Sequence, residues 1–146
     1  MKTTWVLVAD AARARLFSVT RRNEWTLAQS LEHAESRLAG HELMSDGPGA
    51  MKQPAGSGRT VMSPPTPPRE VEAQRFAREL VDLLVDGHGK SAYHSLVLCA
   101  PPHMLGLLRK GLPVAVERLV SAGIDKNYTH LPDRELPEWL SEALAA

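Results

Sequence analysis

Residues Ser95 to Arg109 read SLVLCAPPHMLGLLR, and the parsing of this stretch decides the fold. Leu96-Val97-Leu98-Cys99-Ala100 is a short continuous apolar run, closed by Pro101-Pro102. Such a run, bounded by breakers, is the pattern of a strand covered on both faces. It is expected to lie in the middle of a sheet. Beyond the prolines, Met104, Leu105, Leu107 and Leu108 recur at helical spacing, and a short helix is expected from Pro102 to Arg109 or Lys110.

Downstream, Gly111-Leu112-Pro113 breaks that helix. A further helix is expected over Val114–Ser121, with Ala115, Leu119 and Val116 facing inward and Gly123 closing it. Ile124–His130 is expected as an edge strand, since Asp125, Lys126 and Asn127 are too polar for a buried one. Asp133 is placed to cap a final helix that tolerates Pro137 in its first turn and buries Leu136, Trp139, Leu140 and Leu144.

Upstream stands the strongest helical pattern, from Pro67 to Asp86. Thr66 is placed to cap it, Ala73, Phe76, Ala77, Leu80, Val81 and Leu84 form one apolar stripe, and Gly87 and Gly89 end it. Arg75–Glu79 and Arg78–Asp82 have the i,i+4 spacing of opposite charges. Before it, from Ala34 to Pro68, large apolar residues are few and Gly, Pro and Ser are many. Such a composition buries too little surface to offset its ordering entropy, so a flexible loop is expected at about residues 36–66. The N-terminal part reads as three strands with short links, Thr4–Ala9, Ala14–Thr20 and Trp25–His33, an antiparallel meander. These strands alone are too small for a separate core. Residues 1–146 are therefore expected to form one α/β domain: a mixed sheet of about five strands, with the N-terminal antiparallel β-meander followed by αβααβα.

Composition narrows the function. Lys+Arg and Asp+Glu balance at 17 each, which argues against holding nucleic acid by bulk charge and leaves room only for a local basic patch. The single cysteine, Cys99, lies inside the apolar run and reads as a core residue. No apolar run reaches the length of a membrane helix, and Asp10 interrupts the short N-terminal one, so a cytoplasmic location is expected.

Three passages taken together carry a resemblance. They are Val8-Ala9-Asp10-Ala11-Ala12-Arg13-Ala14-Arg15-Leu16-Phe17, then Ala100-Pro101-Pro102-His103-Met104-Leu105-Gly106-Leu107-Leu108-Arg109, then Asp125-Lys126-Asn127-Tyr128-Thr129. With the Gln74-Arg75-Phe76-Ala77 helix between them, the chain resembles the bacterial host attachment protein family, which is related to bacterial and archaeal relatives of the eukaryotic-type peptide chain release factor. The resemblance implies a ribonuclease-H-like arrangement, as in the middle domain of that factor. It also places the long loop where the factor carries its Gly-Gly-Gln tip. This loop has Gly47-Pro48-Gly49-Ala50-Met51-Lys52-Gln53 and Gly56-Ser57-Gly58-Arg59 but no Gly-Gly-Gln, so peptidyl-tRNA hydrolysis by that motif is not supported.

The candidate residues each have a functional and a structural reading. Asp10 ends a strand where a ribonuclease-H-like nuclease keeps a metal-binding carboxylate, but Glu32, Asp86 and Asp125 lack diagnostic spacing, and an Asp closing a turn is the ordinary case. Arg13 and Arg15 alternate along a strand and share a face; with Arg109 they would hold a phosphate or an RNA backbone, unless they pair with Asp10, Glu117 or Asp125. Lys52, Gln53 and Arg59 give the loop a partly basic, Gly-rich character suited to a partner. Asp86-Gly87-His88-Gly89-Lys90-Ser91 ends like a phosphate loop but follows a helix and lacks the first glycine. Cys99 and His103 offer too few ligands for zinc, and no metal or cofactor is expected. The leading expectation is a non-enzymatic binding protein touching the ribosome or RNA. The alternatives are a metal-dependent RNA or ester hydrolase using Asp10, and an oligomeric adaptor that pairs an edge strand with a second copy.

Overall fold

The structure, a computed structural model, describes residues 2–21, 24–33 and 68–145. Trp5-Val6-Leu7-Val8-Ala9 is as apolar as Leu96–Ala100, and the two runs lie side by side. They form β1 (Thr4–Ala9) and β4 (Ser95–Cys99), paired in parallel with Trp5 opposite Leu96 and Leu7 opposite Leu98. On the other side of β1 lie β2 (Arg13–Arg21) and then β3 (Glu24–Glu32), each antiparallel to its neighbour. Outside β4 lies β5 (Val120–Ile124), parallel to it. The five-stranded mixed sheet therefore has the order β3-β2-β1-β4-β5. Helix α1 (Pro68–Gly89) precedes β4, α2 (Pro102–Gly111) and the single turn α3 (Val114–Glu117) link β4 to β5, and α4 (Leu136–Ala145) ends the chain.

The sheet separates two apolar layers, as strand alternation requires. On one face Leu7, Leu16, Leu96 and Leu98 meet the α1 stripe of Ala73, Phe76, Ala77, Leu80 and Leu84, together with Met104 and Leu108 of α2. On the other face Val6, Val8, Phe17, Val97, Cys99 and Ile124 meet Leu136 and Leu140 of α4. Burying each large side chain fully contributes roughly 1.5–3 kcal/mol, so the long helix and the central strands supply most of the driving force.

Leu96–Ala100 lies inside the sheet as expected, buried on both faces, with the N-terminal ribbon on one side and β5 on the other. Several other expectations are corrected. The helix expected over Val114–Ser121 stops at Glu117, and the last strand is Val120–Ile124 rather than Ile124–His130. Leu96 N–H takes the Leu119 carbonyl at 2.8 Å and Ala100 N–H takes that of Ile124 at 3.0 Å, so the backbone on both sides of Gly123 is committed to the sheet. Gly123 is thus a strand residue, and the guanidinium of Arg109 lies over it where a Cβ would stand. Of the inward-facing trio proposed for α3, Val116 is buried but Ala115 is exposed. Asp133 opens a 3-10 turn, Asp133–Glu135, without a side-chain capping bond. Trp139 and Leu144, expected inside, are exposed.

Helix α1 also ends differently. It runs through both glycines to Gly89, and the left-handed residue is Ser91, with φ 55°. Ser91 N–H donates to His88 C=O at 3.0 Å and Ala92 N–H to Gly87 C=O at 2.8 Å, the paired bonds of a Schellman ending. Gly87 serves packing instead, because a Cβ there would come within 2.5 Å of the Trp5 ring. Arg75 pairs with Glu72 at 2.9 Å rather than Glu79, and Arg78 has no ion pair with Asp82 among the described residues.

Candidate functional site

The C-terminal ends of the parallel strands are where open α/β sheets place ligands. The chain turns directly from β1 into β2 through Asp10-Ala11-Ala12, which brings two amides back onto the Asp10 side chain. Ala12 and Arg13 N–H donate to Oδ1 at 2.8 and 2.9 Å, while Asp10 N–H donates to Arg13 C=O at 2.9 Å. Oδ2 receives the Thr129 hydroxyl at 2.8 Å and has Arg13 Nε at 3.6 Å. Both oxygens are engaged, which leaves little of this carboxylate for a metal ion or a reacting group. Among the described residues no cluster of three or more His, Cys, Asp or Glu is arranged to hold a metal.

Arg15 stands two residues along β2, on the face that carries Phe17. Its Nη2 donates to the carbonyls of Thr129 and Leu131, both at 2.8 Å, with that of Tyr128 at 3.5 Å, and its Nη1 pairs with Asp133. The rigid guanidinium fork suits this many acceptors at once. Thr129 in turn is fixed from its own side. Its N–H donates to Asn127 Oδ1 at 3.1 Å, and its hydroxyl, 2.6 Å from the same atom, shares one proton between Asn127 and Asp10. Asp10 and Arg15 together form a clasp that fastens the 125–133 segment to the β1–β2 turn.

The expected phosphate-binding trio is divided. Arg13 and Arg15 share one cavity of about 190 Å³, lined also by Ser30, Glu32 and the buried Thr129. Arg13 keeps about half its side chain in solvent, whereas Arg15 is largely covered. Arg109 lies elsewhere, at the end of α2, over Gly123 and 3.6 Å from Glu117. Lys52, Gln53 and Arg59 lie outside the described residues.

The other motifs find structural places. Lys90 pairs with Asp86 at 3.1 Å at the end of α1, so the phosphate-loop-like run is a helix ending. Cys99 is buried and donates to Lys126 C=O at 3.4 Å; burial pushes its thiol up to about 11, so it is a neutral core group rather than a nucleophile. His103 faces away from it toward Glu70 of α1, at 2.7 Å. Gln74 N–H, and then His103, hold the Glu70 carboxyl below its usual range.

Sequence reasoning missed Asn127, Thr129 and Asp133 as partners of Asp10 and Arg15. It also missed His33, which is buried at the end of β3 with Nε2 2.9 Å from Glu72 and its ring stacked on Phe76. The spacing of Asn127 and Thr129 is that of an Asx turn, a local signal that was legible. Nothing local connects Arg15 to Asp133 across 118 residues.

The crystal structure of an archaeal translation termination factor is similar to this chain at a TM-score of 0.51 and 9% identity, covering 98% of this chain and 41% of that one. A second structure, an archaeal protein, is similar at a TM-score of 0.45 and 9% identity, covering 98% and 38%. The chain thus spans about two fifths of the length of the factor it resembles. At this identity the likeness speaks for the fold, a release-factor-like α/β domain. No curated protein matches the chain. A family model described as a protein required for attachment to host cells matches residues 5–140, nearly the whole chain, and the chain belongs to that family.

Proposed function

We propose that this chain is a non-enzymatic binding protein that contacts the translation apparatus or RNA. The observation that carries the reading is the state of Asp10. A hydrolase on this fold needs open carboxylates at the strand ends, and here both Asp10 oxygens are held by backbone amides, Thr129 and Arg13. The clasp makes a rigid surface on which Arg13 remains half in solvent. The likeness to a translation termination factor favours ribosome or RNA as the partner class over others. Arg13, Arg109 and the loop residues Lys52, Gln53 and Arg59 are the proposed contacts; Arg15 supports them by holding the surface in shape.

Co-sedimentation with ribosomes tests this, using the full chain, a form lacking residues 40–65, and the Arg13→Ala/Arg109→Ala double variant. Association is expected for the full chain and is expected to weaken in both altered forms. No association of the full chain at low salt removes the proposal. Cleavage of RNA by the purified protein with Mg²⁺ or Mn²⁺, abolished by Asp10→Asn, would replace it with the hydrolase.

A further inference from the structure

The 125–133 segment has a second side, away from the Asp10 clasp. There a groove of about 410 Å³ runs between helix α4 and the outer edge of β5, unpaired among the described residues, with Gly123, Asp125, Tyr128, Trp139 and Glu142 in its walls. Trp139 and Tyr128 meet edge to face, with ring centroids 5.6 Å apart. Trp139 nevertheless keeps 43% of its surface in solvent, although Leu136 and Leu140 of the same helix are buried. Among the described residues neither the Asp125 nor the Glu142 carboxylate has a hydrogen-bond or ion-pair partner. Lys126 also borders the groove, so its formal charge is −1.

An exposed aromatic ring flanked by unpaired carboxylates attracts a cation, through the ring quadrupole and through charge. The same combination repels a phosphate backbone. The neighbouring backbone adds a second feature. Ile124 C=O is committed inward to Ala100 N–H at 3.0 Å, so strand alternation turns the N–H and C=O of Gly123 toward the open edge. Arg109 covers Gly123 from the opposite face of the sheet and so leaves the groove side clear.

We propose that the groove between β5 and α4 binds an extended basic peptide, laid along the open edge at Gly123, with one Arg or Lys side chain against Trp139 between Asp125 and Glu142. Main-chain bonds to the edge give affinity, and the groove selects the cationic side chain. This surface is separate from Arg13, so it stands or falls independently of ribosome association.

The test is fluorescence anisotropy with the full chain and a labelled short peptide alternating valine and arginine. The controls are the same peptide with glutamine for arginine and a uridine oligonucleotide of similar length. The arginine peptide is expected to bind saturably and about tenfold or more tighter than the glutamine peptide. Both Trp139→Ala and the Asp125→Asn/Glu142→Gln double variant are expected to weaken it about tenfold. Equal binding of the two peptides, no saturation, indifference to the double variant, or tighter binding of the oligonucleotide in competition with the peptide would each overturn the proposal. The two peptides compared on the unaltered chain decide the matter even if a variant fails to fold.

Discussion

Two parallel strands of this sheet, β1 and β5, are each followed by an aspartate, and the two carboxylates are in opposite states. Asp10 accepts two amides and a hydroxyl and has an arginine beside it. Asp125 is exposed, with no bonded partner among the described residues. The difference lies in what the chain does next. After Asp10 it reverses at once into β2, and the amides of the reversal point back at the carboxylate. After Asp125 it runs back through Lys126 to Leu131, where Arg15 of β2 holds it, and the Asp125 side chain is left in solvent. A strand-end carboxylate is therefore not by itself evidence of a site: the engaged one is structural, and the unengaged one is available for a partner.

The comparison breaks most readily at Arg15. Arg15→Ala removes the donor for the carbonyls of Thr129 and Leu131 and leaves Asp133 unpaired. A loss of about 3 kcal/mol in urea-monitored stability is expected, because partly buried acceptors lose a charged donor. Arg15→Lys is expected to recover little, since an ammonium cannot present the same fork. A loss below about 0.5 kcal/mol would show that the clasp is not structural.

Asp10→Ala is expected to cost about 2 kcal/mol, with the Ala12 and Arg13 amides and the Thr129 hydroxyl left to find water. Asp10→Asn keeps one acceptor oxygen for the amides and is expected to cost about half as much. An unchanged stability in either variant would put Asp10 back among the free carboxylates.

The clasp also marks the boundary of what the sequence disclosed. The run Leu96–Cys99, the long α1 stripe and the N-terminal ribbon were legible because each rests on local periodicity. The positions of Trp139 and of β5 were not. An amphipathic pattern counts Trp139 as inward, but the width of the contact between α4 and the sheet decides that Leu136 and Leu140 fill it. Likewise Val120-Ser121 reads as the end of a helix and Gly123 as its stop until the pairing of Val120–Ile124 with β4 is known. Arg13 and Arg15 were singled out as a pair by alternation, yet only the fold separates their roles, since the partners of Arg15 come from the far end of the chain. The same holds at the end of α1, where Ser91 takes the left-handed place while Gly87, locally better suited to it, lies under Trp5.

Cys99 lies beneath the segment that both aspartates flank, and it gives a pH handle. Burial, opposed only in part by backbone hydrogen bonds from Tyr128 and Lys126, raises its thiol from 9.0 to about 11. A raised folded-state value favours the protonated form in the fold. The contribution is therefore complete below about pH 9 and is lost as pH rises through about 11. By pH 10 the wild type is expected to have lost roughly 1 kcal/mol relative to neutral pH beyond what Cys99→Ala loses. The difference between the two chains isolates this group from Tyr93, whose hydroxyl burial also pushes up, to about 12. Parallel alkaline curves for the two chains would show that the segment over Cys99 opens before the thiol ionises.

The smallest expected effect is the sharpest test. Asp125→Asn removes one charge from a side chain that bonds nothing in the described structure, so stability should change by less than about 0.5 kcal/mol. Thermal melts of Asp125→Asn and Asp10→Asn side by side read the contrast directly. Asp125 is also one of the charges that oppose ionisation of Cys99, so its removal is expected to make the alkaline loss slightly smaller. The two readouts separate two accounts of an exposed carboxylate. If Asp125→Asn leaves the melt unchanged and shifts only the alkaline curve, Asp125 acts through its field and its carboxylate is free for a cationic partner. If it destabilises as much as Asp10→Asn, both strand ends are structural, and the groove beside Trp139 has lost one of the two charges that were to select its occupant.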